Sequence, residues 1–309
     1  MIDTENLTRK FGELTAVENL TLHVDEGEVF GFLGPNAAGK TTTIRMLCCL
    51  ISKTSGNARI GDFDVDNPAD CLKIRKMVGL LPENVGLYES LSAYKNLDFY
   101  GRLYEVPPET RAANIKRLLQ LLGIWERRSD VVGTFSKGTK HKIAIARALI
   151  HDPALLFLDE PTANLDPEAS KTVRDFILDL KKEKRTIFIN THNLDEAERL
   201  CDRIGILKTR LITIGSPGSL TRDLQSRKTV IHLQRVNAKV LAAVEKLSVV
   251  KNVRAIDNKL ILEMDDPEQD NPEVVRTVVD TGGKIQFVTE LRSTLEDVYL
   301  KMIRETEAR

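Results

Sequence analysis

The stretch from Val29 to Leu47, VFGFLGPNAAGKTTTIRML, constrains the fold more than any other part of the chain. Val29 to Leu33 is an apolar run bounded by turn formers, the pattern of a strand buried on both faces of a parallel sheet. It breaks into Gly34-Pro35-Asn36-Ala37-Ala38-Gly39, and Lys40-Thr41-Thr42 then opens a helical pattern through Leu47. Strand, G-x-x-x-x-G-K-T loop and helix, in that order, predict a phosphate-binding loop. Its backbone N–H groups curl around phosphate oxygens, and the helix N-terminus adds a favourable dipole. In such a loop Lys40 reaches the β- and γ-phosphates of a nucleotide and the Thr41 hydroxyl can ligate Mg²⁺. The bland alternative is a glycine-rich turn with a chance Lys-Thr, and the flanking strand and helix speak against it.

At 309 residues the chain has length for about two domains. Lysine plus arginine (45) balances aspartate plus glutamate (45), so no net field favours nucleic acid. The four cysteines, Cys48, Cys49, Cys71 and Cys201, form no C-x-x-C pair and read as reduced, packed thiols. No secretory signal opens the sequence and no apolar run approaches a membrane span, which predicts a soluble intracellular chain.

Upstream of the loop, Ile2 to Thr8 and Asn19 to Val24 alternate like strands. Phe11 lies between them, an aromatic that could stack on a nucleobase or simply fill a core or turn. Short strands are predicted at Ala58–Ile60 and Val78–Leu81, and helix from Ser92 to about Leu122, interrupted at Pro107-Pro108. Phe135-Ser136-Lys137-Gly138-Thr139 precedes a helical run to Ile150, with Ser136 as an N-cap signal. The apolar strand Leu155–Leu158 delivers Asp159-Glu160-Pro161 to its C-terminal end, as a Walker B element does. A polar turn after a buried strand would look similar if the phosphate loop were absent. Asp166 follows, then a helix to about Leu180, and the strand Thr186–Asn190 ends at Thr191-His192.

Together these segments resemble the nucleotide-binding subunit of ABC transporters. GPNAAGKTT resembles its Walker A, FSKGT its signature loop, LLFLDEP its Walker B, ANLD its D-loop and THNLDEAERLCDRI its switch-histidine region, all in the family's order from Met1 to about Gly215. The resemblance implies an α/β P-loop cassette over residues 1–215, with a helical subdomain at about 84–150. It implies head-to-tail pairing of two subunits, most simply identical, around two ATP molecules. Gly34, Pro35, Asn36, Ala37, Ala38, Gly39, Lys40, Thr41 and Thr42 of one chain would hold each nucleotide, with Ser136 and Gly138 supplied by the other. Thr41, Asp159 and Glu83, the last at the family's Q-loop position, would hold Mg²⁺. Glu160 would be the general base, His192 the γ-phosphate contact, Phe11 the adenine platform and Asp166 a cross-dimer residue. The subunit would sit in the cytoplasm on the inner face of the cell membrane, driving a separate integral-membrane permease, of exporter type by the TLEDVYLKM ending at Thr294–Met302.

Four positions depart from the pattern. Ala37 replaces a frequent glycine, which costs strain if the loop needs a positive φ there. Lys137 and Thr139 replace a glycine and a glutamine in the signature; Lys137 either adds a cation near the partner's phosphates or projects into solvent. Glu83 puts a carboxylate where an amide oxygen is usual, keeping an oxygen for the metal.

Beyond the turn-rich Gly215-Ser216-Pro217-Gly218, residues 216–309 read as β-α-β-β-α-β-α, a small α+β ferredoxin-like domain with no catalytic constellation. Two other function classes fit the sequence less well. A soluble ABC ATPase acting on ribosomes or DNA usually carries two cassettes or a long coiled-coil insertion, and this chain has neither. A P-loop small-molecule kinase has no use for a signature loop before Walker B.

Overall fold

The computed structural model describes residues 1–222, 228–291 and 294–307. Contacts divide the chain into two compact units, Met1–Pro217 and Gly218–Arg309. In chain order the first contains β1 (Ile2–Phe11), β2 (Leu14–Val24), β3 (Val29–Leu33), α1 (Lys40–Leu47), β4 (Ser55–Ile60), β5 (Phe63–Asp64), α2 (Pro68–Met77) and β6 (Val78–Leu81). There follow α3 (Ala93–Leu103), α4 (Pro108–Leu121), α5 (Lys137–Leu149), β7 (Leu155–Asp159), α6 (Pro167–Lys182), β8 (Thr186–Thr191), α7 (Leu194–Leu200), β9 (Arg203–Lys208) and β10 (Arg210–Gly215).

A six-stranded sheet in the order β10-β9-β3-β8-β7-β6 forms the centre of this unit. All its strands run parallel except β10, which pairs antiparallel with β9. Every residue of β3, β7 and β8 is buried, as the uninterrupted apolar runs predict. Phe30, Phe32, Phe157 and Phe188 interlock between these strands at 0 % exposure, with ring centroids 5.0 to 5.5 Å apart. Burying each such ring stabilises the fold by about 1.5–3 kcal/mol. Parallel pairing has a consequence for chemistry. Leu33 lies opposite Thr191 and Asp159 opposite Asn190, so the segments after β3, β7 and β8 leave the sheet on one edge.

A second, antiparallel sheet in the order β2-β1-β4-β5 carries Phe11 at the end of β1. Helices α3, α4 and α5 pack on one another. α5 begins at Ser136, whose Oγ accepts from the Thr139 N–H at 3.2 Å, and α6 begins at Asp166, whose Oδ1 accepts from the Ala169 N–H at 2.9 Å. Each cap satisfies one of the helix's otherwise orphaned N–H groups.

The second unit holds α8 (Pro217–Arg222, straddling the division), β11 (Lys228–Leu233), α9 (Ala238–Glu245), β12 (Asn252–Ile256), β13 (Lys259–Glu263), α10 (Pro267–Asp280), β14 (Ile285–Leu291) and α11 (Leu295–Glu307). Its sheet is antiparallel in the order β12-β13-β11-β14, the ferredoxin-like arrangement expected from β-α-β-β-α-β. Ile231, Leu233, Leu260 and Leu262 of the sheet pack against Val240 and Val244 of α9 and Val274 and Val278 of α10. α10 starts five residues before the expected Pro272. Asp266 caps it, Pro267 opens it, and Pro272 is accommodated inside, because a proline just past the first turn forfeits a single ladder bond. Among the described residues no helix is long and apolar enough to cross a membrane.

Candidate functional site

At the strand edge described above lies a cavity of about 790 Å³. Asn36, Ala37, Ala38, Gly39, Lys40, Thr41 and Thr42 form one wall, Glu83, Glu160 and His192 another, and Phe11 stands at its margin. Gly39 precedes α1 at φ +98°, and a Cβ there would meet the Ala16 carbonyl oxygen at 2.3 Å, so only glycine fits. Ala37 is held at φ 63°. The positive φ anticipated at this position is present, and the alanine bears its strain.

Lys40 is 7 % exposed, and its Nζ donates to the Gly34 and Pro35 carbonyls at 2.6 and 3.0 Å. Burial pushes its pKa down, against the opposing pull of Glu160 and Asp159. A largely desolvated ammonium that faces only two carbonyls is a ready anion partner. Thr41 Oγ1 donates to Asp159 Oδ2 at 2.8 Å, and Asn190 Nδ2 donates to Asp159 Oδ1 at 3.1 Å. The Walker B carboxylate is thus gripped on both oxygens, one by the loop helix and one by β8.

Glu160 adopts φ 54°, a left-handed conformation that costs a non-glycine residue roughly 1–2 kcal/mol. Its N–H bond to the Asn190 carbonyl, at 2.9 Å, holds it there. Its Oε2 lies 2.8 Å from His192 Nδ1, the carboxylate 15 % exposed and the imidazole 63 % exposed. A carboxylate fixed by strain and paired with an imidazole at a phosphate-sized opening can accept a proton from water.

Phe11 is 45 % exposed with the Arg9 guanidinium 4.4 Å over its ring, and it packs in no core. Glu83 borders the cavity, but no group of three histidine, cysteine, aspartate or glutamate side chains that could hold a metal is found among the described residues. Thr41 and Asp159 touch, while Glu83 shares only the cavity. Ser136, Gly138 and Asp166 lie off the cavity wall. Gly138 and Asp166 do come together: a Cβ on Gly138 would stand 3.6 Å from Asp166 Oδ2.

The profile of the family described as ABC transporter matches residues 17–163. The linearmycin resistance ATP-binding protein of Bacillus subtilis is 33 % identical over 267 residues, covering 85 % of each chain. The bacitracin transport ATP-binding protein of Bacillus licheniformis is 33 % identical, covering 98 % of this chain and 97 % of its own. This chain belongs to the ABC transporter ATP-binding family. It is an ATP-binding subunit and an ATPase. A solved ATP-binding subunit of an ABC transporter superimposes with a TM-score of 0.66 at 28 % identity, over 72 % of this chain and 92 % of its own. A dimeric bacterial ABC transporter cassette does so at 0.63 and 27 %, over 70 % and 98 %.

The ATPase subunit also holds polar residues at the site that the sequence did not single out. Asn190 is 0 % exposed and closes on Asp159; inside an apolar run it carries no signal beyond being polar. Glu196 is 1 % exposed and bonded to Thr191. Its spacing from Asn193, as N-cap and third helical residue, is a legible capping signal. All four cysteines are free, and burial pushes the Cys48 and Cys201 thiols up and the Cys49 thiol up to about 12.

Proposed function

We propose that this ATPase subunit powers export by a separate integral-membrane permease, acting with a second ATPase subunit at the inner face of the cell membrane. The observation that carries the reading is the gathering of Lys40, Thr41, Glu160 and His192 around one cavity, with Ser136 and Gly138 outside it. The second half of a nucleotide sandwich would therefore come from another copy, as the solved dimeric cassette suggests. The names of the linearmycin resistance and bacitracin transport relatives support natural-product export.

In this reading Phe11 takes the adenine face, the loop N–H groups and Lys40 take the phosphates, and His192, paired with Glu160, contacts the γ-phosphate. Glu160 Oε2 removes a proton from the attacking water. The oxygen donors fit a hard cation: Thr41 and Asp159 would hold Mg²⁺, with Glu83 facing it, and the ion would neutralise charge developing on the phosphates. Ser136, Gly138 and Asp166 would face the partner's nucleotide.

A docking surface lies beside Glu83. Tyr88 is 47 % exposed and meets Phe99 edge-on at 5.0 Å. Phe99 is itself 37 % exposed, so this aromatic pair faces outward. Tyr94 is half-buried at the start of α3. Buried Asn96 clamps the loop below, accepting from the Tyr88 N–H at 2.8 Å and donating to its carbonyl at 3.0 Å. Tyr88→Ala should consequently weaken pull-down of the membrane subunit without altering ATP affinity of the isolated chain. Intact assembly, or a parallel loss of ATP binding, would remove this surface from the role.

A further inference from the structure

His192 is exposed, and its ring is tied to Glu160 alone among the hydrogen bonds of the described residues. Its placement therefore depends on the backbone of Thr191 and Asn193. Thr191 is held by the buried Glu196 side chain, and Thr191 in turn holds the Asn193 N–H. Thr191 Oγ1 donates to Glu196 Oε2 at 2.7 Å and accepts from the Asn193 N–H at 3.0 Å. Asn193 Oδ1 in turn accepts from the Glu196 N–H at 3.1 Å. Glu196 Oε1 is buried without a well-formed hydrogen bond among the described residues, and the Thr162 hydroxyl stands beside the carboxyl. Thr162 is two residues past Glu160 on the other strand's exit. The buried carboxyl thus braces the segment that carries the imidazole, with the Thr162 hydroxyl of the segment after the base near it.

We infer that Glu196 is a positioning residue for hydrolysis, fixing the His192 turn through its buried hydrogen bond to Thr191. The inference rests on the catalytic reading of Glu160 and His192. Burial far from water is costly for a carboxylate unless it is fully paired, so the retention of a glutamate here needs a reason. Burial pushes its pKa up, and the facing charge of Glu160 adds to that against the opposing Arg174 of α6; the Cys201 thiol at the end of α7 is also nearby. Thr191 needs only an acceptor oxygen from this side chain, and an amide offers one too. Glutamine, neutral and of the same shape, should replace it.

The test uses the full chain, with ATP turnover measured beside binding of a fluorescent ATP analogue. Glu196→Ala and Thr191→Val should each lower kcat about 10–100-fold, as loss of a supporting side chain does, with analogue affinity within about threefold of wild type. Glu196→Gln should stay within about threefold of the wild-type kcat. In a double-variant cycle, Glu196→Ala should cost little once His192→Ala is present, because it acts through that ring. Should Glu196→Ala fail to fold, Thr191→Val carries the comparison. Wild-type kcat in Glu196→Ala or Thr191→Val, or fully multiplicative loss in the cycle, overturns the inference. Wild-type turnover in Glu160→Gln and His192→Ala would instead overturn the catalytic reading, and this one with it.

Discussion

Two neighbouring positions of the phosphate loop pull in opposite directions. Gly39 sits where a Cβ would meet a backbone oxygen at 2.3 Å, a contact no side-chain motion relieves. Ala37, two residues earlier, carries a left-handed conformation with a Cβ in place. Gly39→Ala should abolish nucleotide binding. Ala37→Gly should relieve about 1–2 kcal/mol of strain against the roughly 0.5–1 kcal/mol of extra chain entropy that glycine loses, for a small net gain. A thermal midpoint higher by a few degrees, with unchanged ATP affinity by titration calorimetry, is the expected result. A lower midpoint in Ala37→Gly would mean that the alanine methyl contributes packing that outweighs its backbone strain.

Among the elements, α5 ties the signature segment to the nucleotide site. His141 on this helix is 5 % exposed, and burial pushes its pKa below the usual 6.5, with the Pro161 carbonyl just after Glu160 opposing that shift. His151, beyond the end of α5, is shifted the same way by burial, with its ring on the Val78 carbonyl at 3.0 Å. A depressed histidine contributes stability that is complete above pH 6.5 and is lost as pH falls through the lower folded value, because the unfolded chain then binds more protons. The thermal midpoint of the first unit should fall on acidification from pH 7.5 to 5.5, and His141→Gln should flatten that slope. An unchanged slope would remove His141 as a source of acid sensitivity. The strands and helices that a reader of the sequence can find here are those with strong periodicity or caps: β3, β7 and β8 by unbroken apolar runs, α5 by Ser136. α2 shows Asn67-Pro68, an N-cap followed by a first-turn proline, but its single buried residue, Ile74, leaves almost no apolar stripe in the sequence. β9 and β10 begin at the end of the switch region, where motif residues and a bulged register leave no clean alternation. The site divides likewise. Lys40, Asp159 and Glu160 stand in motifs whose spacing encodes their chemistry, whereas Asn190 and Glu196 act through contacts across strands that no local pattern records.

For the whole molecule, the division at Pro217 and Gly218 leaves each unit with its own sheet and core. A chain ending at Pro217 should therefore fold and bind ATP, with any change confined to self-association or basal turnover. Insoluble or ATP-blind protein would show that the second unit completes the first. The central claim is that one cavity, closed by a second copy, hydrolyses ATP with Glu160 as base. The most direct measurement is of Glu160→Gln with MgATP, following phosphate release and molar mass by light scattering together. A base contributes about 10²–10⁴-fold, so hydrolysis should nearly vanish while ATP binds and the mass doubles to that of a dimer. Wild-type hydrolysis, or a variant that loses ATP binding along with turnover, would contradict the account.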